Sequence, residues 1–239
     1  MITSIPKLWA IVPAAGIGAR FSDGHPKQFH QLRGKTMAEH TLLKLLSVKQ
    51  IQRLICPCDL SSKYWSKVSA SKDLRVEMVS GGKSRAQSVI NGLRALQNYA
   101  KADDWVLVHD IARPCITVSD INRLISELKN NIVGGLLVKR VDETLKMVGL
   151  ENRVLKTPDR EQYRVAQTPQ MFRYKILLDA LVLASSKNMS PTDEASAVEA
   201  MGKDVLMIEG RKDNIKITHQ SDLMIAETIL QNQEEDLCA

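Results

Sequence analysis

Long apolar runs are absent from the 239-residue sequence: no stretch is apolar for the roughly 20 positions that a membrane-crossing helix needs. The first apolar run, Leu8-Trp9-Ala10-Ile11-Val12, is also too short for the core of a signal peptide. It leads directly into a glycine loop, so it reads as a buried strand, and the chain reads as cytoplasmic with no membrane partner. The four cysteines, Cys56, Cys58, Cys115 and Cys238, show neither zinc-ligand spacing nor a disulfide framework. Cys56 and Cys58 alternate along a predicted strand and read as small buried apolar residues. The net charge is +6, yet no lysine/arginine block and no interleaving of aromatic with basic residues stands out. Phosphorylated small molecules account for that charge without nucleic acid. No G-x-S-x-G elbow is present and the five histidines lie in unrelated contexts, which leaves no Ser-His-Asp arrangement.

What is present is an alternation of strand and helix patterns within an ordinary soluble composition, 44% apolar and 25% charged. The length suits one large domain spanning residues 1–239. The alternation predicts an α/β fold, with a mainly parallel sheet covered by helices on both faces. Predicted helices run over Thr36 to Val48, along the Ala86, Val89, Ile90, Leu93 and Leu96 face, from a cap near Ser119, over Lys175 to Ser185, after Pro191-Thr192 and from Ser221-Asp222. Predicted strands cover Ile51 to Cys56, Val76 to Val79, Trp105 to His109, Ile132 to Val138, Val205 to Glu209 and Ile215 to Thr218, and the tail from Gln233 reads as frayed. Between Lys139 and Arg164 charged residues are frequent, and two short β-like runs flank Gly149-Leu150-Glu151-Asn152. That segment reads as a projecting β-hairpin arm over about 139–164. An isolated two-stranded ribbon is marginal in water, which favours an arm gripping a second subunit.

The chain is organised around Leu8 to Phe29, LWAIVPAAGIGARFSDGHPKQF. Small residues after a buried strand let backbone N–H groups approach a ligand, and consecutive amides make a concave anion site. Arg20 and Lys27 follow, and backbone donors with two cations suit a polyphosphate. Phe21 occupies the place of the third glycine in a dinucleotide fingerprint, and no Walker pattern is present. In open α/β sheets the ligand lies beyond the carboxyl ends of the strands. That rule gathers Gly16, Gly18, Arg20, Lys27, Gly82, Arg85, Ser88, Asp110, Arg113, Asp213 and Lys216. A single carboxylate directly after a buried strand and facing a phosphate loop is the expected place for Mg²⁺, so Asp110 is the expected ligand.

The segments PAAGIGARF, PKQF, GGKSRAQSV, HDIARP, TPDR, AQTPQMF, TDEASAVE and DNIKIT occur in the order found in the 2-C-methyl-D-erythritol 4-phosphate cytidylyltransferase family. From about Trp9 to Leu230 the chain resembles that family, whose enzymes serve the non-mevalonate isoprenoid pathway. The opening segment is shared among nucleotidyltransferases; the later set together is far more specific. The resemblance implies a Rossmann-like fold and dimerisation through a β-arm. It implies attack of the phosphate of methylerythritol phosphate on the α-phosphorus of CTP, releasing pyrophosphate. On matching residues, Arg20 and Lys27 would stabilise the charge on the five-coordinate phosphorus. Pro13, Ala14, Ala15 and Gly16, with Gly82 and Ser88, would hold the nucleotide, and Asp110 would bind Mg²⁺. Arg160 and Lys216 would hold the second substrate with Thr144, Arg113 and Asp213 assisting, Thr144 and Arg160 from the other subunit of a homodimer.

The sequence departs from the family at Ile111, where alanine is usual, at Gln87, where aspartate is common, and at Tyr163-Arg164. The first changes packing; the second bears on one hydrogen bond near the ribose or base. The residue types suit the reaction by themselves. Nucleotidyl transfer needs in-line positioning and compensation of negative charge, and an attacking phosphate is already an anion, so no general base is required. The rival readings are a cytidylyltransferase for ribitol 5-phosphate or another sugar phosphate, and a non-catalytic nucleotide-binding module. TPDR and TDEAS weigh against the first, and Lys27 with Lys216 against the second.

Overall fold

A computed structural model of the chain describes residues 5–16, 18, 21 and 25–238, with the backbone alone at 237 and 238. The apolar run after Lys7 forms β1 (Leu8–Ile11), all four residues buried. The PKQF segment forms a 3-10 turn (Lys27–Phe29), followed by a ribbon of β2 (Gln31–Leu32) and β3 (Lys35–Thr36). Then come α1 (Met37–Leu46), β4 (Ile51–Cys58), β5 (Val76–Ser80), α2 (Arg85–Ala95), β6 (Trp105–Val108) and α3 (Val118–Leu128). The second half holds β7 (Gly134–Arg140), an arm of β8 (Met147–Val148) and β9 (Val154–Lys156), and the long β10 (Arg164–Arg173). It ends with α4 (Tyr174–Ser186), α5 (Glu194–Glu199), β11 (Leu206–Glu209) and α6 (Asp222–Cys238).

Among the described residues the main sheet has seven strands in the order β11-β7-β10-β6-β1-β4-β5. Every pairing is parallel except those of β10, which runs antiparallel to β6 and to β7. The chain moves outward from β1 to β4 and β5, then returns to β6 on the other side of β1. That reversal opens a crevice at the carboxyl ends of β1 and β6, where α/β sheets bind ligands. One face of the sheet packs under α1 and α3 through Leu42, Leu45, Ile121 and Leu124. The other packs under α2, α4 and α5 through Val89, Leu93, Leu177, Leu181 and Val198. A third cluster sets Ala226 and Leu230 of α6 against Phe21, Leu32, Met37 and Ile217. The α/β, mainly parallel, two-faced arrangement is therefore as expected.

Three local expectations need correction, and one strand was not foreseen. The helix expected from a cap near Ser119 begins after Thr117, whose hydroxyl accepts the Asp120 N–H at 3.1 Å. Ile215 to Thr218 forms a loop, not a strand: its alternation buries Ile217 against α6, and the Ile217 N–H reaches the Ala112 carbonyl at 2.9 Å. The tail from Gln233 continues α6, because Gln233 is buried and donates to the Cys115 carbonyl at 2.8 Å. The longest strand, β10, carries no strand signal in the sequence. Its ladder with β7 breaks between Ala166 and Gln170, and the gap contains Pro169, which has no N–H to contribute.

The arm is a hairpin, as the pattern suggested. Glu151 and Asn152 both have positive φ, 56° and 57°, and the Arg153 N–H returns to the Leu150 carbonyl at 3.3 Å. Two consecutive left-handed residues suit the twist of a two-residue hairpin turn.

Candidate active site

The loops after β1, β5 and β6 meet the Ile215 to Thr218 loop around a cleft of about 580 Å³. Pro13, Ala15, Gly16, Gly18, Gly82 and Ser88 contribute to its wall, with Lys27, Arg85, Asp110 and Lys216 as the charged groups argued below. A smaller pocket of about 190 Å³ adjoins it, sharing Arg85, Asp110 and Lys216 and adding Arg113, Gln167 and Thr192. The three shared residues form the partition between the two spaces.

Asp110 occupies the centre of that partition. One carboxylate oxygen accepts from Arg85 Nε at 2.8 Å; the other meets Lys216 Nζ at 2.8 Å and lies 3.7 Å from Arg113 Nε. Burial alone would raise the Asp110 carboxyl, but Arg85, then Lys216 and Arg113, hold it well below the usual carboxylate range. Arg85 in turn grips Glu194, Nη1 to Oε1 at 2.7 Å and Nη2 to Oε2 at 2.9 Å, and the Glu194 side chain is fully buried. Burial works against the Arg85 charge, and the two carboxylates more than offset it, keeping the guanidinium firmly protonated.

Behind Asp110 a neutral network fixes the backbone. The Thr168 hydroxyl accepts the Asp110 N–H at 3.0 Å and lies 3.0 Å from His109 Nδ1. His109 Nε2 faces the Arg113 carbonyl at 3.1 Å, so that nitrogen carries the proton, and the hydroxyl donates to Nδ1. Burial pushes His109 down to about 4, which keeps the ring neutral. Asn214 donates to the Thr168 carbonyl at 2.8 Å, and Gln167 donates to the Arg211 carbonyl at 2.9 Å. Gln170 accepts the Ala195 N–H and donates to Asp193, each at 2.8 Å, which ties β10 to the start of α5. The motif segments AQTPQMF, TDEAS and DNIKIT thus meet around one aspartate.

The loop after β1 is shaped by short contacts. Gly18 has φ +68°, and a Cβ there would come within 2.9 Å of the Lys27 stem. Lys27 Nζ donates to the Ile217 carbonyl at 3.1 Å, linking the first loop to the last. A Cβ on Gly81 would fall 2.3 Å from that of Ala15, and the Gly82 N–H donates to Ser88 Oγ at 3.0 Å.

Not every expected residue reaches the cleft. Arg20 lies outside the described residues. Ala14 is buried, gives its N–H to the Pro57 carbonyl at 2.8 Å and receives Gln28 on its own carbonyl at 3.1 Å. It shapes the turn from behind. Arg113 donates to the Asn214 carbonyl at 2.8 Å and borders the smaller pocket only. Asp213, expected just before the Ile215 to Thr218 strand, sits on the loop and pairs with Arg211 at 2.5 Å. Arg160 and Thr144 lie on the arm; Arg160 bonds the Asp142 carbonyl, and neither residue lines either of these two pockets. Gln87 bonds Asn91 at 2.9 Å along α2, and Ile111 packs into the core. Glu194 escaped the sequence reading because a first-turn glutamate usually serves the helix dipole.

Comparison with known proteins decides the family. The model described as 2-C-methyl-D-erythritol 4-phosphate cytidylyltransferase matches residues 8–232. The chain belongs to this family. A relative of that name from Hahella chejuensis is 45% identical over 96% of each chain. One from Pseudomonas savastanoi pv. phaseolicola is 44% identical over 92% of this chain and 93% of its own. A solved cytidylyltransferase structure from Francisella tularensis superposes with a TM-score of 0.81 at 35% identity, covering 93% of this chain and 99% of the other. Members of the cytidylyltransferase family are nucleotidyltransferases, so the cleft belongs to an enzyme.

Asp110 is also the candidate metal ligand. It is the carboxylate among the described residues lining the larger cleft, and no cluster of three or more metal-ligating side chains occurs among the described residues. Arg85 takes one oxygen of Asp110, so a cation held there would share the other with Lys216 and fill its shell from phosphates and water. Magnesium binds in that way, so the donor set fits.

Proposed function

We propose that the larger cleft binds CTP, that the smaller pocket takes 2-C-methyl-D-erythritol 4-phosphate, and that the two react across the partition between them. The products are 4-diphosphocytidyl-2-C-methyl-D-erythritol and pyrophosphate. The observation that carries this reading is the shared wall: Arg85, Asp110 and Lys216 border both spaces. Two phosphate anions repel, and a wall of fixed cations in a water-poor crevice lowers the cost of bringing them together.

Pro13, Ala15 and Gly16, with Gly82 and Ser88, cradle the nucleotide, and Ala14 sets the turn that presents them. Lys27, from one side, meets the negative charge that builds on the α-phosphorus, and Arg20 is assigned the same task. Lys216 serves the acceptor phosphate; Arg113, Thr192 and Asp213 border its space or the loop that closes it. Asp110 would hold Mg²⁺, which would supply charge neutralisation on the phosphates. The attacking group is an anion at neutral pH, so the protein needs only to position it.

The arm completes the assembly. Arg160 and Thr144 are exposed and lie away from the pockets of their own protomer, and we assign them to the acceptor pocket of a partner in a homodimer. Cys56, Cys58 and Cys115 are free thiols, which suits a reducing cytoplasm. No helix among the described residues is long and apolar enough to cross a membrane.

A pyrophosphate-release assay tests the reading, with CTP, ATP, GTP and UTP each offered against methylerythritol phosphate and ribitol 5-phosphate. The expected outcome is release with CTP and methylerythritol phosphate alone. Preference for ribitol 5-phosphate, or for another nucleotide, would overturn it.

A further inference from the structure

Glu194 opens the short helix α5, yet its carboxylate is completely buried and both its oxygens face Arg85. A glutamate that merely serves a helix dipole does so at the surface. Burying a carboxylate is offset only by a well-formed ion pair, and here the pair is the two-pronged one that a guanidinium makes best. The third donor of the same guanidinium, Nε, reaches Asp110 at 2.8 Å. Arg85 is therefore held by three bonds to two carboxylates. Lys216, on the other oxygen of Asp110, makes a single contact from a side chain 40% exposed. Of the two cations within 3 Å of Asp110, one is clamped and the other is loose.

The clamp matters because Arg85 lines both pockets. A guanidinium fork fits phosphate as well as it fits carboxylate, so an Arg85 released from Glu194 would have the triphosphate within its reach. We propose that Glu194 is a positioning residue of the nucleotidyl transfer, holding Arg85 on Asp110 and off the nucleotide. The inference rests on the reading that the larger cleft binds CTP. Without the clamp, Arg85 would strengthen the ground-state complex while Asp110 lost its fixed orientation. Binding would tighten and turnover would slow.

Two measurements on the full chain test this: CTP affinity by calorimetry without divalent metal, and kcat for pyrophosphate release with it. Glu194→Gln is expected to bind CTP about tenfold tighter, the size of one charge-assisted contact, and to turn over about tenfold more slowly. Glu194→Asp, which keeps the charge, should restore wild-type affinity. Arg85→Gln should lower kcat with CTP affinity unchanged, and the double variant should match Arg85→Gln in both readouts. Unchanged affinity in Glu194→Gln, or losses in kcat that add in the double variant, would overturn the proposal. Should Glu194→Gln fail to fold, Arg85→Gln decides: unchanged affinity with reduced kcat supports the clamp, and weakened CTP binding refutes it. A wild-type protein that neither binds CTP nor releases pyrophosphate counts against the functional reading instead. A normally active wild type with an unresponsive Glu194→Gln counts against this proposal alone.

Discussion

In the cleft, Asp110 lies under Arg85, Lys216 and Arg113, while Thr168 and His109 hold its backbone from behind. On the arm, Met147, Val148, Val154 and Leu155 are each more than half open to solvent along two short strands. The first region satisfies its charges within one chain. The second presents apolar surface that its own chain does not cover, on a ribbon that is marginal when alone. On the reading proposed above, the cleft brings phosphates together before any partner arrives, and the arm meets one. Function draws on both if Arg160 and Thr144 complete a neighbour's acceptor pocket.

The comparison breaks most sharply at Lys27. Lys27→Ala is expected to lower kcat by about a hundredfold or more with a modest change in CTP affinity, as for a contact that strengthens in the transition state. Steady-state kinetics with a separate binding measurement would show it. Normal turnover would remove the cleft from the chemistry.

A mixing experiment sharpens the contrast. Arg160→Ala should raise the KM for methylerythritol phosphate with little effect on that for CTP. Equimolar Lys27→Ala and Arg160→Ala subunits, unfolded and refolded together, should regain about a quarter of wild-type activity, because half the dimers then hold one intact site. No recovery would place Arg160 in its own protomer's site or outside catalysis.

The arm itself offers a smaller effect. Leu155→Asp, on an exposed face, should convert a dimer to monomers in sedimentation velocity with Tm lowered by only a few degrees, since the core is untouched. A dimer that persists would move the interface elsewhere.

Acidification probes the cleft by another route. His109 is pushed to about 4 by burial, and burial lowers His40 as well. The unfolded chain protonates histidine near the ordinary value of 6.5, before the fold does. Stability is therefore fully present above that value and is lost as pH falls towards 4, by as much as about 3 kcal/mol from His109. Urea midpoints across this window should fall with pH, and His109→Gln should flatten the slope. A slope that persists in His109→Gln would assign the loss to other groups.

Much of this was legible beforehand in residue order. Periodicity located β1, β6, α1 and α2, because each buries one face continuously or at helical spacing. The turn residues Gly149 and Asn152 marked the arm. The loop that walls the larger cleft was readable from small residues beside Lys27, and the place of Asp110 in that cleft from its position directly after a buried strand. Other features were not readable. Pro169 disguised β10, since a proline argues against a central strand and nothing local indicates that the ladder skips that residue. Ile215 and Ile217 alternated like a strand because burial on one side, under α6, imposes the same period without any ladder.

The sequence by itself settled most of the order of elements, the small-residue turn after β1 and the family, because these depend on local periodicity, residue type and motif order. Tertiary structure alone decided that Glu194, Arg85 and Asp110 form one chain of charge across residues 85 to 194. It also decided that Arg160 lines neither of the two pockets. Such pairings follow from how a sheet folds its loops together in space, and no local pattern encodes that distance.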